Sequence, residues 1–134
     1  MNEENKRKNI NEELERADKA MRAASLLYEE GLLSDAISRL YYFLLYNVRA
    51  LLLTRGMEPK SHEGALRLFS LHFVKEKIFN PKSSHIFSKL MKYREEADYN
   101  PSYLFTKEDF TEFKKEATEL AKKIKEYLKE RGYL

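Results

Sequence analysis

A chain of 134 residues with a net charge of +3, 43% hydrophobic residues, 35% charged residues and no cysteine is long enough to bury a real core in one domain and too apolar to be disordered. It carries no disulfide framework and no thiolate or zinc-finger chemistry, and no apolar run approaches the roughly 18 residues of a membrane span. The N-terminus MNEENKRKNINEE lacks the apolar stretch of a secretory signal, so the expected location is the cytoplasm. The Lys/Glu-rich balance is common in thermophile proteins, and the mild positive charge permits an anionic partner without demanding one.

Four Gly and three Pro punctuate a pattern that is helical throughout. Residues 1–10 are expected to fray, and residues 11–134 to form a single helical domain. Helix 1 is predicted from about Asn11 to Glu30, with Leu14, Ala17, Met21, Ala24 and Tyr28 at helical spacing and Gly31 as its stop. Ser34 is expected to cap helix 2, which runs to Arg55 and ends at Gly56. MEPK at 57–60 reads as a loop, and Ser61 as the cap of helix 3, running to about Lys77. Asn80 and Pro81 read as the cap and first residue of helix 4, ending near Asp98. Thr106 with Asp109 resembles a capping box that opens helix 5, where Phe110, Phe113, Ala117, Leu120, Ile124 and Tyr127 make a long stripe ending at Gly132. Short loops between long amphipathic helices predict an all-α, up-and-down antiparallel bundle of about five helices. On that topology the end of helix 2, the start of helix 3, the end of helix 4 and the start of helix 5 share one pole, gathering Arg55, Lys60, His62, Arg94, Asp98 and Tyr99.

Two stretches depart from simple packing. DAISRLYYFLLYNVRALLLTR is apolar nearly all round, so helix 2 is either central or shared with a second subunit. Within it Arg39, Tyr42, Tyr46 and Arg49 fall on one line; arginine and aromatic planes together suit nucleotides, and the plainer alternative is packed tyrosines with solvated or paired arginines. The second stretch, KYREEADYNPSY at 92–103, puts Glu95, Glu96 and Asp98 in the last turn of helix 4, where the helix dipole favours cations. An Arg94–Asp98 pair one turn apart is one account of those acids; a site at this helix end is the other. No metal-ligand spacing such as HExxH occurs, and neither a Gly-rich phosphate loop nor a GxSxG elbow is present; no cofactor is expected. His72 and His85 have no partner spacing, whereas His62 falls in the first turn of helix 3 beside Lys60.

SRLYYFLLYNVRALLLTRGMEPKSHEGALRLFSLHFV (38–74) followed by KYREEADYN (92–100) resembles the HEPN family (higher eukaryotes and prokaryotes nucleotide-binding domain), in particular its small single-domain prokaryotic branch. The resemblance covers roughly residues 12–130. It implies a helical bundle, a homodimer, and often a partnership with a small nucleotidyltransferase as toxin and antitoxin. Active members are metal-independent RNases whose Arg-x(4–6)-His motif faces a cleft between subunits, the Arg holding the scissile phosphate and the His moving protons. Arg94 matches the motif Arg. Where the motif His belongs, after four intervening residues, stands Tyr99, whose ordinary pKa near 10 makes it a poor base at neutral pH. Asp98 and His62 are the residues that could take the proton-transfer role, and Arg39, Tyr42, Tyr46, Arg49 and Lys60 the candidate nucleotide contacts. Two readings stand: an RNA-directed, toxin-like protein with a degenerate RNase motif, or a non-catalytic homodimeric module that binds nucleotide or a nucleotidyltransferase.

Overall fold

A computed structural model describes residues 2–134. Five helices make up the chain: α1 (Glu3–Glu29), α2 (Leu33–Leu53), α3 (His62–Phe69), α4 (Pro81–Tyr99) and α5 (Lys107–Glu130), and no strand is present among the described residues. The protein is an all-α bundle. Its four long helices alternate in direction along the chain. Lys6 Nζ donates to Thr54 O at 3.2 Å and Arg7 Nη1 donates to Gly132 O, so α1 begins where α2 and α5 end. At the other end Tyr28 stacks on Phe110, with ring centroids 4.4 Å apart.

The helix boundaries follow local chemistry. Ser61, Asn80 and Thr106 cap α3, α4 and α5 through their side chains, each satisfying a backbone N–H that a helix start leaves unpaired. The Thr106–Asp109 capping box closes in both directions, at 3.0 and 2.9 Å. Two expectations are corrected. Residues 3–10 are not frayed: Asn2 caps α1, Glu3 and Glu4 sit in its first turn where the dipole favours anions, and Ile10 is fully buried. Ser34 is not the cap of α2, which starts two residues earlier, at Leu33 behind Leu32, with no side-chain cap; Asp35 in the first turn supplies the compensating charge.

Helix α2 is central. Fourteen of its 21 residues are buried, covered by α1, α4, α5 and α3, so its wide apolar surface is satisfied within the chain. A second subunit is not needed to explain it.

The third helix breaks the simple alternation. At the end of α2, Gly56 takes a left-handed backbone (φ +69°), and Met57 N donates back to Leu52 O at 3.1 Å. The chain then doubles back along α2: Met57, Glu58 and Pro59 lie against Leu53 and Arg49, and Lys60, Ser61 and His62 reach the level of Tyr42 and Tyr46. Helix α3 therefore starts beside the middle of α2 and runs in the same direction as it. Arg55 confirms the sense, since its guanidinium lies 4.6 Å from the ring of Phe73, beyond the far end of α3. The predicted continuous helix to Lys77 is also corrected. After Phe69 the helix widens into one π-type turn over Ser70–Val74, where Lys75 N donates to Ser70 O at 2.8 Å. That turn keeps both Phe69 and Phe73 in the core, their centroids 6.4 Å apart. Lys77 then adopts φ +63° and ends the segment.

Candidate functional site

The doubled-back connection creates the site. Because α3 begins beside the middle of α2, His62 meets Tyr41 rather than the end of α2. The Tyr41 hydroxyl and His62 Nδ1 are 2.7 Å apart. Tyr41 is fully buried, with its ring stacked on Phe87 of α4 at 6.0 Å and 11°. From α4 the Arg94 guanidinium stands 5.5 Å from the Tyr41 ring and 5.9 Å from the Tyr99 ring. Tyr41 thus connects Arg94 to His62. The start of α3 and the end of α4 do meet, while Arg55, expected in the same cluster, lies at the opposite end of the bundle.

Arg94 is only 6% exposed. A buried guanidinium needs compensation, and the acids of the last α4 turn supply it: Asp98 Oδ2 lies 3.5 Å from Nη1 and Glu95 Oε1 lies 3.8 Å from Nη2. The conflict between those acids and the helix dipole is resolved by the arginine they flank. Glu96 instead accepts from Asn100 Nδ2 at 2.8 Å. Arg94 Nε has no hydrogen-bond partner. Tyr99 is 75% exposed, whereas Tyr103 packs back on Tyr93 and Phe105.

Beside this cluster a groove of about 590 Å³ runs between α2 and the returning chain, within the roughly 300–1,000 Å³ of small-ligand sites. Tyr42, Tyr46, Arg49, Lys60 and His62 line it, together with Glu58. Arg39 stacks on Tyr42 at 4.5 Å and supports the groove from its edge. Four of the five predicted nucleotide contacts thus share one wall system, and the fifth braces it. Arg49 is steered by Glu13 of α1, whose Oε2 lies 3.7 Å from Arg49 Nε and whose Oε1 lies 3.3 Å from Arg16 Nη1. Glu13 is 8% exposed and its Oε2 accepts no hydrogen bond, so Arg49 offsets its charge through space.

The start of α3 is shaped for this position. Gly64 N donates to Ser61 Oγ at 2.9 Å, and a Cβ at Gly64 would stand 2.8 Å from that oxygen, so a larger residue there would force the Ser61 side chain to shift. His62 titrates below its ordinary value, first because it is partly buried and then because Arg94 repels a second positive charge. Burial pushes the Tyr41 phenol well above its ordinary value, so it remains a neutral donor at any physiological pH.

A larger cavity of about 810 Å³ lies at the opposite end, where Phe79 and Tyr127 are flanked by Lys75, Lys77 and Lys123 against Glu126 and Glu130. Its size exceeds that of the groove, but it lacks a buried charge or a hydrogen-bonded titratable pair. No cluster of three or more metal-ligating side chains occurs among the described residues, and no helix is long and apolar enough to cross a membrane.

Sequence reasoning missed Tyr41 and Glu13. Tyr41 carried a readable signal, since a tyrosine on the deeply buried face of α2 needs a partner for its hydroxyl. Glu13 carried none, because one more Glu in a Glu-rich helix looks solvated.

The HEPN domain model matches residues 10–128. The chain belongs to the HEPN domain family. It is 35% identical over 127 residues to a protein of Methanocaldococcus jannaschii named "Putative toxin MJ0605", covering 92% of this chain and 94% of the relative. A second protein of that organism, "Putative toxin MJ0142", is 34% identical over 96 residues, covering 72% of this chain and 65% of the relative. A Thermotoga maritima protein named "UPF0332 protein" is 31% identical over 102 residues, covering 76% and 77%. This HEPN protein therefore sits among toxin-named relatives that match it over most of its length.

Proposed function

We propose that this HEPN protein is the toxin-like member of a toxin–antitoxin pair and that it engages RNA or a nucleotide in the groove between α2 and the start of α3. The observation that carries this reading is the convergence of Arg94, Tyr41 and His62 beside a groove lined by Tyr42, Tyr46, Arg49 and Lys60. Aromatic faces offer stacking to bases, and the cations offer contacts to phosphate. Arg94 is the phosphate anchor, reached when the exposed Tyr99 side chain moves off it. The toxin names of the relatives support a toxin–antitoxin context, and a small nucleotidyltransferase is the proposed antitoxin.

The protein acts as a homodimer in this reading. With α2 covered inside the chain, the support lies at and just after the end of α4, where Tyr99, 5.9 Å from Arg94, and Leu104 are 75% and 85% exposed, as fits a cleft between two subunits. Light scattering at tens of micromolar should give a dimer; a monomer would remove this part of the reading.

A specific feature favours the second reading, a non-catalytic binding module: Tyr99 replaces the motif His, and Arg94 is buried and engaged by Asp98 and Glu95. One assay separates the two. The purified chain is incubated with single-stranded RNA in a chelator, beside Arg94→Ala. Cleavage lost in Arg94→Ala supports the RNase. Binding without cleavage supports an RNA-binding module, and the absence of both overturns the RNA reading and leaves a module that binds a nucleotide or a nucleotidyltransferase.

A further inference from the structure

We propose that Tyr41 is a positioning residue that fixes His62 as a neutral imidazole with its proton on Nε2, so that the groove presents a hydrogen-bond donor to a phosphate oxygen of a bound nucleotide. This rests on the groove being the nucleotide site.

Among the described residues, the buried Tyr41 hydroxyl has His62 as its hydrogen-bond partner. Tyr41 is fully buried, and its oxygen lies 2.7 Å from His62 Nδ1. If His62 carried its proton on Nδ1, the Tyr41 O–H would have to find another acceptor, and a buried unpaired donor is costly. The Arg94 guanidinium, 5.5 Å from the Tyr41 ring, has donors only, and the Glu63 and Glu95 carboxylates act on Tyr41 through space. The hydroxyl therefore donates to Nδ1, and Nδ1 must be the unprotonated nitrogen.

Arg94 and Glu95 of α4, Arg49 of α2 and Glu63 of α3 are the charged groups that act on His62. Burial and the Arg94 repulsion outweigh the two glutamates, and the ring titrates below its ordinary value. Tyr41 is also held neutral. The pair thus stays in one form through physiological pH.

His62 lines the groove while its Nδ1 side is taken by Tyr41, so Nε2 is the nitrogen left to meet an occupant. An Nε2–H is a donor, suited to a phosphate oxygen or a base carbonyl. It is not a base able to take a ribose 2′ proton. In the resting protein His62 therefore offers a hydrogen bond to an occupant and takes no part in proton transfer.

Nitrogen-15 NMR of the full chain tests this without any RNA. In the native protein the His62 nitrogens should report a single Nε2–H form at pH 7.5. In Tyr41→Phe, which keeps the ring on Phe87, they should report a mixture of both forms and a titration closer to that of ordinary histidine. A native Nδ1–H form, or a Tyr41→Phe spectrum unchanged from native, would overturn the role of Tyr41. Should Tyr41→Phe not fold, the native spectrum alone decides the protonated nitrogen. Adenosine monophosphate is then titrated: a shift of the His62 Nε2–H signal, absent in Arg49→Ala, supports the phosphate contact. No shift would overturn that contact and count against the nucleotide reading, whatever the form of His62.

Discussion

The α1–α2 hairpin and the α3 corner are built on opposite terms. In the hairpin, helical spacing, caps and burial all agree: Leu14, Ala17 and Ala24 of α1 face an α2 that is buried along most of its length. At the corner the rules are broken one after another, by a connection that doubles back, a helix parallel to its predecessor, a π-type turn and a left-handed Lys77. The regular region holds the bundle together. The irregular one brings a Tyr, a His and an Arg from three helices into contact. π-type turns recur near functional sites, and here the turn ends the helix whose first residue is His62.

The sharpest way to probe that division is at the end of α4, beside Arg94. Tyr99→His restores the Arg-x4-His spacing at an exposed position that tolerates exchange. It should raise or create metal-independent RNA cleavage by about 10²–10⁴-fold, the usual worth of positioned acid–base help. An RNA cleavage assay measures it. A folded, dimeric and inert Tyr99→His would mean that this corner has lost more than one side chain, and the binding-module reading would then be preferred.

The hairpin is broken differently. Leu51 is fully buried in α2, and Leu51→Ala should cost about 2–5 kcal/mol of stability, read as an earlier urea midpoint. Binding per folded molecule should be unchanged. A loss of binding at full folding would show that the core and the corner are coupled.

The same contrast explains what was legible in the sequence. Spacing and caps located the four long helices to within a few residues, except at the start of α1, where polar Asn2, Glu3 and Glu4 read as a frayed tail although they cap a real helix. The line of Arg39, Tyr42, Tyr46 and Arg49 was readable because it lies within one helix. The meeting of His62 with Arg94 was inferred from alternation, and Arg55 was placed with them by the same argument. Alternation failed for Arg55 because Gly56 reverses the chain along α2 instead of continuing past its end. Direction after a loop is a tertiary outcome that local pattern does not carry. Tyr41 and Glu13 fall in the same class, since each is explained only by what lies across from it.

The groove itself can be weighed charge by charge. Arg49 is tied to Glu13, and Glu58 shares the wall with Lys60, so few cations are free to meet phosphate. RNA binding should be weak and strongly salt-dependent, with about 2–4 phosphates contacted per subunit. Lys60→Ala and Arg49→Ala should each reduce the salt slope by about one, as read by filter binding across a salt series. RNA binding that stays tight at half-molar salt would place the main contact elsewhere.

The smallest effect expected is on stability against pH, and its sign follows from the corner's chemistry. His62 titrates below the ordinary histidine value in the folded protein, because of burial and then Arg94. An unfolded chain takes up the proton at about pH 6.5, while the folded chain does so only at lower pH. Between those two points the unfolded state binds more protons, so stability falls as pH falls through that window. Above about pH 6.5 the His62 contribution is fully present. The carboxylates add their own pH dependence, so the comparison must be between variants. Urea midpoints of the native protein and His62→Gln, each at pH 7.5 and pH 5.5, isolate the difference: the native protein should lose more on acidification than His62→Gln does. Equal losses would mean that His62 is free to take up its proton in the folded state, and that the contact with Tyr41 and Arg94 does not hold it neutral. A hairpin variant such as Leu51→Ala should lower both midpoints together and leave their difference as it was, because the titrating group belongs to the corner alone.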